Sequence, residues 1–423
     1  MSTPSSTPAP TPPRPPAERI ASLDVLRGLG VLGILMVNAV AFAWPWQAYQ
    51  NPLNGPYPFE GGEVTGWFVT HVFFEMKFIT LFTLLFGASL FLIGGERSDA
   101  QKGATLRRRL IWLTVFGLIH GALIWYGDIL LSYALCGFVV LLCRSWRVST
   151  LIRVGVSLFV IGEFATLALA LLAFVPENAM SPDEMAAIGT AFWSPERATL
   201  MELSAQMRGG LLDVFWGNFH TWMDFFTGSF LVFIFWRTAG LMLIGIALFK
   251  MGLLQGQGRA STYWTWIALG AFSLLVIGGQ ALVQIAQGFP FPEGAGLYQI
   301  ANFVLSPLVT LGYIGVVVLL LRRGAMGFIG HALSAAGRMA FSNYIAQSLI
   351  MTGLFFGARG LGLFGEATRV ELIAIVVTIW VLQLIWSPLW LSKFHYGPLE
   401  WVWRKLTYGG AVAFVRRSTV SVA

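Results

Sequence analysis

Charge is what this chain has least of. Only 11% of its 423 residues are Asp, Glu, Lys or Arg, where a soluble domain carries roughly 25%. That shortage excludes an ordinary soluble core. Cysteine is nearly absent too: Cys136 and Cys143 are the two in the chain. They sit on one apolar run, where about 10 Å of helical rise keeps them from bridging. No nucleotide-binding loop set between a strand and a helix is present, and no Gly-x-Ser-x-Gly elbow. The five histidines (71, 120, 220, 331 and 395) show no paired ligand spacing, so no metal is expected.

What fills the chain is hydrocarbon: 56% of residues are hydrophobic, and the mean hydropathy is +0.71. Apolar runs of about 20 residues, each the thickness of a bilayer core, recur along it. They predict an all-α polytopic membrane protein of about ten transmembrane helices: 23–45, 64–94, 107–125, 127–143, 151–175, 228–249, 262–286, 297–321, 339–357 and 371–391. The second is long enough to be tilted or broken. Residues 1–18, rich in Pro, Ser and Thr, read as a disordered arm. Residues 19–391 form the bundle, with an outer segment at 176–227, and 392–423 form a basic, aromatic tail. The arm and the connections 95–109, 144–153, 250–261, 322–338 and 392–423 hold 21 of the 27 basic residues, counting Arg27. That bias predicts both termini in the cytoplasm. It also explains the net charge of +7 without a nucleic-acid partner. The partner expected first is the lipid bilayer, and a homo-oligomer stays open.

Against this background the buried polar residues stand out. His120 and Asp128 lie in Gly117-Leu-Ile-His-Gly-Ala-Leu-Ile-Trp-Tyr-Gly-Asp128, between two apolar runs. Counting rise from the predicted helix ends puts Arg237 about 14 Å deep, Lys77 about 20 Å and Glu163 about 18 Å. Glu75 neighbours Lys77, but two residues apart on a helix they point to different faces. An ionisable side chain at bilayer depth is a functional candidate by default. The bland alternative is pairing that fixes helix register, Glu163 with Arg237 above all. For His120 it is a packed histidine beside the Gly117/Gly121 close-contact pattern. The chemical reading is that Asp128 orients the imidazole and raises its basicity, as in general base catalysis.

Several blocks carry a resemblance: Ser22-Leu-Asp-Val-Leu-Arg-Gly28 running to Asn38, Tyr49-Gln-Asn-Pro52, Lys77 to Gly87, the His120/Asp128 hairpin, Gly337-Arg-Met-Ala-Phe-Ser-Asn-Tyr344, Gln347-Ser, and Phe394-His-Tyr-Gly-Pro-Leu-Glu-Trp-Val-Trp-Arg404. Together they resemble the YeiB-like family of bacterial inner-membrane proteins over nearly the whole chain after residue 18. That family is similar in fold to the transmembrane acyltransferases, which pass an acyl group from a cytoplasmic acyl-CoA to an acceptor on the far side. The resemblance implies a multi-pass inner-membrane acyltransferase with acyl-CoA as co-substrate and an envelope glycan or lipid-linked acceptor. It implies catalytic roles for His120, Asp128 and Lys77. Asp24, Arg27, Asn38, Glu163, Arg237, Asn343 and Arg404 would bind acyl-CoA or substrate. Some relatives carry histidine at the Asn38 position, and the heparan glucosaminide enzyme uses a histidine in its first outer loop. The corresponding loop, 46–63, has none, so the role falls to His120, with His71 the weaker candidate. The alternatives are a proton-coupled small-solute transporter and a scaffold without chemistry.

Overall fold

The computed structural model describes residues 20–172, 174, 181–410 and 412–416. The predicted arm over 1–18 lies outside the described residues, as do 176–180 of the outer segment and 417–423 of the tail. The described chain is helical: α1 (Ala21–Ala43), the short α2 (Gln47–Gln50), α3 (Gly62–Phe73), α4 (Lys77–Gly94), α5 (Ala100–Ile119), α6 (Leu130–Cys143), α7 (Val148–Leu172), α8 (Pro182–Phe192), α9 (Arg197–Arg208), α10 (Leu211–Ser229), α11 (Phe235–Lys250), α12 (Ala260–Gln287), α13 (Ile300–Arg322), α14 (Gly327–Arg338), α15 (Ala340–Phe355), α16 (Arg369–Lys393) and α17 (Pro398–Tyr408). One isolated bridge, Phe394 to Val415, is the only β pairing among the described residues.

Six stretches of the described residues are long and apolar enough to cross a membrane: Ala21–Ala43, Gly62–Gly94, Leu211–Lys250, Ala260–Gln287, Ile300–Arg322 and Arg369–Lys393. They mark the chain as a membrane protein. α1 is apolar all round and buried along most of its length, so it forms the centre of the bundle. α14 reaches its backbone because two glycines face each other. A Cβ on Gly28 would lie 2.0 Å from the Leu333 carbonyl, and one on Gly337 1.8 Å from that of Asp24. Backbones in contact through small residues are how helices associate where burial from water gives no drive.

The helix predicted over 64–94 is broken. Phe74–Met76 separate α3 from α4, and Met76 takes the left-handed conformation at φ 63°. The helix predicted over 228–249 is the C-terminal part of the continuous stretch Leu211–Lys250, with a π-helical turn at Phe230–Ile234. α6 begins at Leu130, not 127, and its 14 residues span only about 20 Å, against about 30 Å for a bilayer core. Asp128 precedes the helix and is buried in the bundle. Another π-helical turn, His120–Ile124, closes α5 above it. That turn leaves carbonyls without helical partners, and long-range donors satisfy them. Asn218 of α10 donates to Gly121 and Ala122 at 2.9 and 3.1 Å, and Arg359 donates to Ile124.

Candidate functional site

The hairpin glycines build the histidine's setting. A Cβ on Gly117 would strike the Leu131 backbone nitrogen at 2.3 Å, and one on Gly121 the Trp222 indole at 2.2 Å. Both glycines therefore admit neighbours that would otherwise be held off, α6 on one side and α10 on the other. Pressed between them, His120 is 1% exposed. Its Nδ1 donates to Asp128 Oδ1 at 2.9 Å. Asp128 in turn accepts from the backbone nitrogens of Leu130 (3.1 Å) and Leu131 (2.8 Å), at the N-terminus of α6. A carboxylate at a helix N-terminus is stabilised by the free amides and the helix dipole. It can only accept, which puts the imidazole proton on Nδ1 and leaves Nε2 as acceptor. Ser348 Oγ of α15 occupies Nε2 at 2.9 Å. The result is a Ser348–His120–Asp128 chain across three helical elements.

A second polar knot lies at the break between α3 and α4. His71 stacks on Trp67 and donates from Nδ1 to Glu75 Oε2 at 2.6 Å. Lys77 is fully buried; it donates to the His71 carbonyl at 2.8 Å and to Asn302 Oδ1. The break strips α3's last carbonyls of helical partners, and the ammonium replaces one of them. A non-glycine residue at positive φ costs on the order of 1–3 kcal/mol and persists where its surroundings impose it. Arg237 forms a third knot, bonded to Glu163, to Ser306 at 2.8 Å and to the Phe303 carbonyl at 3.1 Å.

Two cavities flank these knots. One, of about 300 Å³, reaches the N-terminal half of α1 and the tail. Arg27, Arg109, Arg338 and Arg404 line it against two carboxylates, Asp24 and Glu400. Arg27 pairs with Asp24 at 2.9 Å, Arg109 lies over the Trp403 ring and Arg404 over that of Tyr396. Glu400 accepts from the Phe341 and Ser342 backbone nitrogens at the start of α15. Burial pushes its carboxyl up from the ordinary range, in opposition to those hydrogen bonds. The other cavity, of about 520 Å³, reaches the C-terminal half of α1 and is lined by Asn38, Tyr49, Glu75, Asp128 and Arg237 among mostly apolar neighbours. Ile129 and Tyr133 line both.

The predicted residues thus divide. Asp24, Arg27 and Arg404 line the basic cavity, and Asn38, Asp128 and Arg237 the far one. His120, Lys77, Glu163 and Asn343 line neither. Asn343 instead bonds Ala336, Ser387 and Trp386, beside a Gln347–Gln383 pair that ties α15 to α16 and α1. This lattice orients α15 and so aims Ser348 at His120. His71 and Glu75 are legible in the sequence but their pairing is not, and neither is the place of Ser348 in the site; the Gln347-Ser dipeptide is the one sign of the latter. No group of three or more metal-ligating side chains occurs among the described residues.

Fold and site together define a multi-span helical membrane protein with a buried carboxylate–histidine–hydroxyl chain beside two cavities. The family described as "Protein of unknown function (DUF418)" matches residues 248–410. The chain is 32% identical over 409 residues to "Uncharacterized protein YeiB" of Escherichia coli (strain K12), covering 93% of this chain and 97% of that one. It is 29% identical over 414 residues to "Uncharacterized protein YxaH" of Bacillus subtilis (strain 168), covering 92% and 94%. The chain belongs to the YeiB-like family. No solved structure matches it.

Proposed function

We propose that this protein is a membrane acyltransferase of the bacterial inner membrane, passing an acyl group from a cytoplasmic acyl-CoA to an acceptor hydroxyl or amine in the far cavity. The observation that carries the reading is the pair of cavities at opposite ends of the bundle with Ile129 and Tyr133 as common lining. In this reading ten stretches cross the bilayer: the six long spans, one of them broken at 74–76, with α5, α7, α15 and the short α6 together with the 125–129 connection before it. Both termini are cytoplasmic, and the basic residues gathered at the end that holds Arg27 and Arg404 support that orientation. Arginines suit the donor's phosphates, and the aromatic faces suit its purine.

At the common lining, the thioester C–S bond breaks and an acyl C–O or C–N bond forms. The acceptor's proton passes by way of the Ser348–His120–Asp128 chain, whose Asp128 lines the far cavity, to the departing thiolate, which leaves as the thiol. Ser348, which occupies Nε2 at 2.9 Å, either relays that proton or yields its place. The Asn38 side chain lines the far cavity and makes no hydrogen bond with other described residues, so its carboxamide suits the developing oxyanion better than the engaged Lys77. Radiolabelled acyl-CoA should bind the purified protein and be displaced by free CoA, and Arg27→Ala with Arg404→Ala should weaken it. Equal binding by the double variant would refute the assignment of the basic cavity.

One observation favours the transporter alternative: a helix broken at 74–76 with Lys77, Glu75 and His71 at the break. Proton-dependent solute uptake into proteoliposomes, lost in Glu75→Gln, would support it.

A further inference from the structure

Of the residues that line the far cavity, three are exposed on the outside of the bundle: Phe225, Gly228 and Val232. Phe225 is 39% exposed and Val232 57%. They follow one another at i, i+3 and i+7, a single stripe on the continuous helix Leu211–Lys250. A Cβ on Gly228 would meet nothing within 4 Å. Counting rise back from Lys250, Val232 lies about 27 Å and Gly228 about 33 Å along the helix, which is the far part of the hydrocarbon core and its rim. The mouth of the cavity is therefore a slot in the side of a membrane-spanning helix, bordered by apolar side chains.

The rest of the lining includes polar side chains. Glu75 gives one carboxylate oxygen to His71, and its other oxygen has no bond among the described residues. Tyr49, Asn38 and Arg237 line the same space. Arg237 is paired with Glu163, and Glu75 and Asp128 each hydrogen-bond a histidine, so the lining offers both hydrogen-bond donors and acceptors. An apolar mouth facing lipid and a hydrogen-bonding interior suit a molecule built the same way.

We infer that the far cavity takes a lipid amphiphile with a hydroxyl-bearing head, which enters sideways from the bilayer through the Phe225–Gly228–Val232 slot. The head sits among Glu75, Tyr49 and Asn38, and the hydrocarbon stays against Phe225, Val232 and Phe233. This narrows the acceptor to a lipid and rests on the transfer reading only for what the bound molecule is used for.

The test uses the full-length protein in nanodiscs of phosphatidylethanolamine and phosphatidylglycerol, doped with a photoactivatable glucosyl diacylglycerol. The expected label falls on peptides around residues 74–80 and 225–238. Gly228→Phe and, separately, Val232→Trp should each lower it about fivefold or more, a change of about 1 kcal/mol in binding. Leu275→Phe, on the exposed face of α12, should leave it unchanged. Equal labelling in all variants would overturn the inference, as would competition by methyl glucoside as effective as that by the unlabelled lipid. Labelling in a protein without acyl turnover would sink the catalytic reading and leave this one standing. Turnover without labelling would do the reverse.

Discussion

His120 has no free nitrogen: Asp128 holds one and Ser348 the other, each at 2.9 Å. Ser348→Ala removes the partner of a buried acceptor, and the expected cost is about 1–3 kcal/mol, read from denaturant unfolding in detergent. If Ser348 relays the proton to Nε2, that variant keeps acyl-CoA binding and loses turnover; if it only yields its place or packs the histidine, stability falls and turnover does not follow it. Arg237 and Glu163 behave as a unit. Arg237→Met leaves a buried carboxylate without its cation and should cost about 3–5 kcal/mol, most of it recovered by adding Glu163→Leu. Independent, additive losses would show that the pair is not coupled. The His120–Asp128 pair was legible because two polar residues interrupt an apolar hairpin. Ser348 was not, since it lies 228 residues away and a hydroxyl on an apolar helix is common. Glu75 was read beside Lys77, two residues away; its partner is His71, four residues earlier, the spacing of one helix face.

At the scale of elements, backbone contact between α1 and α14 depends on the absence of two side chains. Gly337→Ala places a Cβ 1.8 Å from the Asp24 carbonyl, so α14 must move away, and a lower melting temperature and lost packing of the cavity wall are expected. Gly353→Ala, where nothing lies within 4 Å, should be neutral or stabilising by up to about 1 kcal/mol. The tail docks through Glu400 on the start of α15. Its folded carboxyl is raised by burial, so its contribution is complete below the ordinary carboxylate range and lost as pH rises through the raised value. Protease sensitivity of the tail should therefore grow from acid towards neutral pH, and Glu400→Gln should flatten that profile. Apolar run lengths made most helices legible. The break at 74–76, the short α6 and the π-helical turns were not, because each is set by distant partners such as Lys77 with Asn302 or Asn218 with Gly121.

At the scale of the whole molecule, six stretches of the described residues are long and apolar enough to span a bilayer, and the other helices pack among them around two cavities. Membership of the YeiB-like family was legible in scattered blocks such as Ser22–Gly28 and Phe394–Arg404. The cavities were not, since their linings draw on most of the bundle. Their common lining at Ile129 and Tyr133 is what makes transfer from one end to the other a reading of shape as well as of resemblance. The measurement to make is release of free thiol from acyl-CoA by the purified full-length protein in lipid, with short and long acyl chains. The expected result is acceptor-dependent release that His120→Ala abolishes while the melting transition and acyl-CoA binding persist. Release unaffected by His120→Ala, or none with any chain length from folded wild-type protein, would contradict acyl transfer at this site.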